Sequence, residues 1–238
     1  MSQRLADYRV FWREFRQAYH TTGAVLPSGR ALCRALSHYV RNGEADTAGA
    51  PRRILEVGPG TGAVTVQIAR DMRPGDQLTL VERNEQFVEH LRQQLAGSAA
   101  FNGVRDRIDL KHCSVEDIAE NEPYDLIVSG LPLNNFSVEL VDSLVSKLKK
   151  LLAPGGVLSF FEYVAIRRAK AIVSPRADRD RLSGIERILS ELLGENEVRR
   201  DLVLANVPPA WVHHVSLRAG SSEQGAGKSS KFTASTGS

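Results

Sequence analysis

Apolar and aromatic residues near the start of the chain recur at spacings of three and four, which is the pattern of one helix face. This stripe lies within residues 3–19 and consists of Leu5, Tyr8, Phe11, Trp12, Phe15 and Tyr19. The opposite side carries Arg9, Arg13 and Arg16. The spacing therefore predicts an amphipathic helix. After a short loop, Ser28 is placed to cap a second helix that runs to about Tyr39.

From Pro51 onward, short apolar runs alternate with segments of helical periodicity. Strands are predicted at 53–57, 76–82, 107–113, 124–130 and 157–164, with helices at 63–72, 84–96, 137–152 and 181–193. Residues 197–217 have the pattern of two strands joined over a Pro-Pro turn. The alternation predicts an α/β fold in which helices cover both faces of a parallel sheet, and a hairpin closes one edge.

This division predicts three regions. Residues 1–50 hold the amphipathic helix, a loop and the second helix, and residues 51–218 form the α/β domain. Residues 219–238 are rich in glycine and serine and are predicted to be disordered. No apolar run has the length of a membrane span, and no signal peptide is recognised. Cys33 and Cys113 lack the spacing of a thiolate metal site, so no metal is expected.

The segment LEVGPGTGAV, residues 55–64, joins the first predicted strand to a helix. Gly58 and Gly60, with Pro59 and Thr61, allow a ligand to approach the backbone at the N-terminus of that helix. Gly58, Gly60 and Ala63 also match a dinucleotide-binding pattern. Glu56 favours a different ligand, because a carboxylate at this strand end repels a pyrophosphate and suits an ammonium group.

Two further acidic positions follow the next strands. Glu82, beside Arg83, ends the second strand about 20 residues after the glycines, where a carboxylate accepts ribose hydroxyls. Glu116 and Asp117 follow the third strand, where they are candidates to hold an adenine edge. With these features in register, the sequence resembles the class I S-adenosylmethionine-dependent methyltransferases over about residues 50–218. The resemblance implies a seven-stranded sheet with one reversed strand, and S-adenosyl-L-methionine bound over Gly58, Gly60 and Glu82.

The methyl acceptor is indicated by SGLPLNNF, residues 129–136, at the end of the fourth strand. Methyltransferases that act on planar nitrogens commonly have an Asn or Asp and an aromatic ring here. This chain has Ser129, Gly130, Leu131, Pro132 and Leu133 instead. An aliphatic amine needs no such preparation, because once deprotonated it is already a strong nucleophile.

SGLPLNNF and the upstream YHTTGAVLPSGRAL resemble the bacterial phospholipid N-methyltransferases of the PmtA type. That resemblance implies methylation of phosphatidylethanolamine towards phosphatidylcholine, and a lid in which Tyr19, Thr22, Gly23 and Ser28 contact the cofactor. The pair Asn134-Asn135 departs from the expected apolar pair. The alternatives are a ribosomal RNA adenine dimethylase and an inactive membrane-binding module of the same fold. Nucleic acid is not the expected partner.

A phospholipid substrate gives the N-terminal helix a function. Trp12 and Phe15, flanked by Arg9, Arg13 and Arg16, are suited to the interface of an anionic membrane. Arg167, Arg168 and Lys170 offer a second basic surface for lipid phosphate. The expected location is the cytoplasm, on the inner face of the cytoplasmic membrane. The alternative for the aromatic stripe is packing on the sheet or on a partner subunit, and the basic residues could equally form a solvated, salt-bridged face.

The proton acceptor is not specified by any motif. Tyr19 in the lid and Tyr163 at the end of the fifth strand are candidates for a proton route or for positioning the substrate. Alternation along that strand places Glu162 on the opposite face from Tyr163. His213 and His214 near the last strand have the pattern of structural residues.

Overall fold

The computed structural model describes residues 29–43, 49–164, 176–194, 196–206 and 208–217. The strands are β1 (Arg53–Val57), β2 (Gln77–Glu82), β3 (Ile108–His112), β4 (Tyr124–Ser129), β5 (Leu152–Tyr163), β6 (Glu197–Val203) and β7 (Ala210–Ser216). The helices are α1 (Arg30–Leu36), α2 (His38–Asn42), α3 (Ala63–Asp71), α4 (Glu85–Gly97), α5 (Val138–Leu151) and α6 (Arg176–Leu193). Within these ranges, no helix has the length and apolarity needed to cross a membrane.

All seven strands belong to one sheet, in the order β3-β2-β1-β4-β5-β7-β6. Strands β1 to β5 pair in parallel, and β7 runs antiparallel to both β5 and β6. The carboxyl ends of β1 to β5 therefore meet at one edge of the sheet, and β6 ends at the same edge. This arrangement confirms the predicted seven-stranded sheet with one reversed strand.

The core has one layer on each face of the sheet. Apolar residues of α5 and α6 pack on the face that carries Val57, Ile127 and Phe160. Residues of α1, α2 and α3 pack on the other face. Strand side chains alternate between the two layers, so β1 and β4 are buried on both sides and consist of nearly continuous apolar runs.

A buried ion pair fixes the first helices to the sheet. Arg52 and Asp76 are both fully buried, with Nη2 and Oδ2 2.6 Å apart. The Arg52 guanidinium also donates to the carbonyls of Tyr39 and Val40, at 3.2 and 2.9 Å. Removing either charge would leave its partner buried without compensation, which makes such a pair a strong anchor for α2.

Three predicted boundaries were wrong. The expected helix, capped by Ser28 and running to about Tyr39, is instead two helices, Arg30–Leu36 and His38–Asn42, that meet at Ser37. The Ser37 hydroxyl donates to Asp71 of α3 at 3.0 Å. Helix α6 begins at Arg176 rather than 181. Strand β5 begins at Leu152, because Leu152 already pairs with Tyr124 before the register shifts and the next residues bulge outward.

Candidate functional site

A groove opens at the carboxyl edge of the sheet, where β1, β2, β3 and β4 end. Its empty volume is about 290 Å³, and it is open to solvent. The residues that line it are Val57, Gly58, Val81, Glu82, Arg83, Cys113, Ser114, Val115 and Leu131. Gly58, Glu82, Arg83 and Leu131 are sequence-predicted site residues, and the fold brings them together from three loops.

The glycine loop between β1 and α3 has a backbone that only glycine adopts without strain. Gly58, Gly60 and Gly62 have φ of 68°, 56° and 80°. A Cβ placed on Gly60 would meet no atom within 4 Å, so open space lies above this residue. The Pro59 carbonyl accepts from Gly62, and Thr61 lies between the two, partly exposed. The loop thus presents bare backbone at the start of α3.

Glu82 ties the glycine loop to the end of β2. Its Oε2 accepts from the Gly60 amide at 3.1 Å, and its Oε1 accepts from the Asn84 amide at 2.8 Å. Burial raises the pKa of Glu82, and these backbone hydrogen bonds oppose the shift. Each carboxylate oxygen can accept a further bond, so Glu82 is held in place with acceptor capacity towards the groove that it lines.

Glu56 is fully buried, and neither of its carboxylate oxygens has a hydrogen-bond partner. Burial raises the pKa of Glu56 to about 8. The nearby Thr65 hydroxyl lowers it in part, without reaching good hydrogen-bond geometry, and the charge of Glu82 raises it further. A buried carboxylate without partners is costly, and a cation beside the glycine loop would satisfy it. This carboxylate fits the ammonium of an amino-acid ligand.

Glu116 and Asp117 lie in the turn after β3, and both interact within that turn. The Asp117 carboxylate accepts from the Ser114 amide at 3.1 Å, and the Ser114 hydroxyl donates to Glu116. The groove itself is lined by Ser114 and Val115. An adenine contact from Glu116 or Asp117 therefore stays a prediction. Sequence reasoning missed Ser114 and Val115, although their place directly after a strand end was a usable signal.

The turn after β4 packs directly on the glycine loop. The Gly130 amide donates to the Val57 carbonyl at 2.8 Å, and the Leu131 amide donates to the Ser129 hydroxyl at 3.4 Å. Leu131 covers Gly58 so closely that a Cβ on Gly58 would lie 2.5 Å from Leu131 Cδ2. With Pro132 following, this part of the site is apolar and offers neither an acid nor a base.

Helix α6 holds the end of this turn. Arg181 Nη1 donates to the carbonyls of Asn134 and Phe136, both at 2.8 Å, and its Nη2 lies 2.6 Å from Asp178. Asn134 is buried although it is polar, at a position where the resemblance led us to expect an apolar residue. Arg181 thus holds the backbone of Asn134 and Phe136, which follows the apolar turn of the site.

Tyr163 and Glu162 lie at the carboxyl end of β5 but are not among the residues that line the groove. Tyr163 packs edge-on against Phe161, with ring centroids 5.0 Å apart, and burial raises its pKa. Glu162 points to the opposite face, as predicted, and its carboxylate lies 3.3 Å from His213. A proton route through Tyr163 stays a prediction.

Ser159, His214 and Asp201 form a buried chain of polar contacts. The Ser159 hydroxyl and His214 Nδ1 are 2.8 Å apart, and His214 Nε2 lies 3.4 Å from Asp201. Burial lowers the pKa of His214 to about 4, against the charge of Asp201, so the ring is neutral. Ser159 and His214 are 2% and 0% exposed and bond to each other, so we interpret these contacts as structural.

Several predicted site residues lie outside the described residues: Arg9, Trp12, Arg13, Phe15, Arg16, Tyr19, Thr22, Gly23, Ser28, Arg167, Arg168 and Lys170. The lid and both basic surfaces, like the tail at 219–238, therefore stay predictions. In the part of the chain that is described, no group of three or more His, Cys, Asp and Glu residues could hold a metal ion.

Comparisons with known proteins agree with this geometry. A methyltransferase-domain family model matches residues 54–156. An ornithine lipid N-methyltransferase of Singulisphaera acidiphila is 31% identical over 156 residues, which are 65% of this chain and 77% of that protein. A tRNA 5-carboxymethoxyuridine methyltransferase of Escherichia coli is 31% identical over 115 residues, which are 48% of this chain and 41% of that protein.

Solved structures show the same fold. An O-methyltransferase of Bacillus cereus in complex with S-adenosylhomocysteine superposes with a TM-score of 0.58 at 18% identity, over 89% of this chain and 91% of that one. The O-methyltransferase TomG of Streptomyces achromogenes, in complex with S-adenosylmethionine, gives 0.56 at 19% identity, over 84% and 86%. At these identities the similarity establishes the architecture alone.

Proposed function

Because this chain belongs to the class I S-adenosylmethionine-dependent methyltransferases, we propose that it transfers methyl groups to the amine of a membrane lipid. Phosphatidylethanolamine, on the way to phosphatidylcholine, is the proposed substrate. Ornithine lipid is the alternative, since a relative that spans most of this chain is named for it. Both lipids present an aliphatic amine next to an acylated body.

The apolar turn after β4 is the observation that carries this proposal. Gly130, Leu131 and Pro132 supply no acceptor for a planar nitrogen and no ring to stack on one. Such a surface suits an aliphatic amine, whose lone pair is already available once the proton has left. The chain's contribution is then to align the amine and to exclude water from the site.

The groove, together with the glycine loop and the buried Glu56 beside it, fits S-adenosylmethionine, which supplies a methyl group activated by its sulfonium. Glu56 would hold the ammonium of the cofactor, and Glu82 would accept the ribose hydroxyls, with bare backbone at Gly60. Arg83 and Ser114 line the same groove. The predicted lid, Tyr19, Thr22, Gly23 and Ser28, would close over the amino-acid end.

A lipid substrate requires access to a bilayer. We propose that the predicted N-terminal helix, with Trp12 and Phe15 between arginines, holds the enzyme on the inner face of the cytoplasmic membrane. Arg167, Arg168 and Lys170 would add contacts to lipid phosphate.

The test is a transfer assay with methyl-labelled S-adenosylmethionine and three acceptors: detergent-dispersed phosphatidylethanolamine, ornithine lipid and ribosomal RNA. We expect label in lipid and none in RNA. The variant Glu82→Ala should lose labelling of every acceptor, because its cofactor binding weakens by about 1–3 kcal/mol. Labelling of RNA without labelling of either lipid would overturn the proposal, and labelling of ornithine lipid alone would reject phosphatidylethanolamine as substrate.

A further inference from the structure

Exposed apolar side chains are concentrated on the edge strand β6. Among the residues that the structure describes, the large hydrophobic residues that are exposed are Val198, Leu202 and Leu204, at 53%, 44% and 70%. Leu204 lies in the turn directly after the strand. An edge strand with exposed apolar residues invites unwanted pairing, so such residues call for a function.

The carboxyl end of β6 lies on the same side of the molecule as the groove. Strand β6 runs antiparallel to β7, which runs antiparallel to β5. The carboxyl end of β6, with Leu202 and Leu204, therefore lies on the same side of the sheet as the carboxyl ends of β1 to β5. Trp211 is the direct register partner of Leu202, so the two residues share one face.

A cation accompanies these side chains. The Arg200 guanidinium lies 5.2 Å from the centroid of the Trp211 ring, and its side chain is 54% exposed, with Nε 4.0 Å from a Glu197 carboxylate oxygen. Trp211 itself is partly exposed. Tryptophan and leucine beside arginine match the boundary of an anionic bilayer, where the ring lies at headgroup level and the guanidinium meets lipid phosphate.

We propose that Arg200, Leu202, Leu204 and Trp211 form a membrane-docking edge, which brings the groove to the surface of an anionic bilayer. The inference rests on the proposed lipid substrate. A lipid surface fits this edge better than a second copy of the chain, because a stable protein interface buries about 800 Å² on each partner. Two leucines and one ring offer far less than that.

Fluorescence can observe this edge directly. The chain has two tryptophans, Trp12 and Trp211, so the Trp12→Phe variant leaves Trp211 as the reporter. Vesicles of phosphatidylglycerol with brominated phosphatidylcholine should quench its emission and shift it to the blue, and added salt should reverse both effects. Unchanged Trp211 emission with vesicles that are demonstrably bound would assign docking to residues 3–19 alone and overturn the proposal.

Variants separate the docking edge from a general loss of structure. In the Trp12→Phe background, Leu202→Ser with Leu204→Ser should weaken vesicle binding by roughly tenfold. The control Val198→Ser, whose side chain is 53% exposed at the other end of β6, should change it little. Equal weakening in both variants would overturn the proposal, as would light scattering that shows a dimer lost on the double substitution.

The two proposals fail in different ways. If the docking edge is right, the double variant methylates detergent-dispersed lipid like the parent and loses activity on vesicles only. If no lipid is methylated in either form while Trp211 is still quenched by vesicles, the proposed function is wrong and the docking edge is retained.

Discussion

Gly130 lies so close to Gly58 that a Cβ on Gly130 would be 2.7 Å from the Gly58 carbonyl oxygen. The two glycines belong to the acceptor turn and to the cofactor loop, so this contact sets the distance between the two halves of the site. It explains why a glycine follows β4 at a position whose φ does not require one.

The first prediction follows from this contact. Gly130→Ala should lower the free energy of unfolding by about 1–3 kcal/mol, because the obstacle is backbone and cannot move aside cheaply. It should also weaken cofactor binding by shifting the glycine loop. Gly97→Ala is the control, since a Cβ there meets nothing within 4 Å. Denaturant unfolding and calorimetry measure both effects, and identical results for the two variants would refute the contact.

Substitutions at Gly60 and Gly103 can separate the effect of backbone strain from the effect of blocking the bound cofactor. Gly60→Ala and Gly103→Ala both place an alanine at positive φ with open space around it. Each should cost about 1–2 kcal/mol of stability through backbone strain. Cofactor affinity should fall only for Gly60→Ala, since its Cβ would project towards the bound ligand. A fall of the same size in Gly103→Ala would show that strain alone is responsible.

Arg181 is expected to act through the backbone that it holds. Arg181→Ala removes the donor to the Asn134 and Phe136 carbonyls and should lower the free energy of unfolding by about 1–3 kcal/mol. The kcat/KM for lipid should fall more than the affinity for cofactor. Arg187→Ala removes a 70% exposed guanidinium from an ion pair with Glu191 and should cost under about 0.5 kcal/mol. A larger loss of cofactor affinity than of lipid turnover would contradict this assignment.

Much of the fold was predictable because its signals are local. Apolar runs bounded by glycine, proline or aspartate predicted the strands, and the residue types at strand ends predicted the roles of Glu82 and the glycine loop. The break at Ser37 was not predicted, and the Ser37 hydroxyl bonds to Asp71, 34 residues away, which no local pattern indicates. The roles of Ser114 and Val115 in lining the groove also depend on loops that meet only in three dimensions.

The hydrogen-bond partners and pKa shifts of the site's carboxyl groups could not be predicted from the sequence either. A carboxylate at position 56 indicated a cationic ligand, but its lack of any hydrogen-bond partner is a property of the packed structure. The capping of the turn after β3 by Asp117 likewise uses a bond that the motif alone did not specify. Residue types at strand ends predict a site, whereas burial decides how strongly each group is perturbed.

His214 is predicted to make the protein sensitive to acid. Its pKa is about 4 in the folded chain against an ordinary 6.5, because burial disfavours the charged ring. The unfolded chain then binds the extra proton, so the free energy of unfolding falls as pH drops from about 6.5 towards 4. His214→Gln, which keeps a polar partner for Ser159, should flatten this fall in denaturant titrations. If the free energy of unfolding of His214→Gln falls with pH as steeply as that of the parent, His214 is not the cause of the fall.

Glu56 is predicted to act in the opposite direction. Its pKa is about 8 in the folded chain against an ordinary 4.5, so the folded chain holds a proton that the unfolded chain releases. Without cofactor, the free energy of unfolding should therefore fall as pH rises from about 4.5 to 8. Glu56→Gln cannot ionise and should be more stable than the parent at pH 8 by a few kcal/mol.

The same variant should bind S-adenosylmethionine on the order of tenfold more weakly, because the cofactor's ammonium loses its anion. Binding to the parent near pH 7 should release about one proton, which calorimetry in buffers of different ionisation enthalpy measures directly. Glu56→Gln should release none. The exposed Glu122→Gln controls for the chemical change and should leave both stability and proton release as in the parent. A gain in stability without a loss of affinity would mean that Glu56 does not hold the cofactor, whereas a loss of both would make it a structural group.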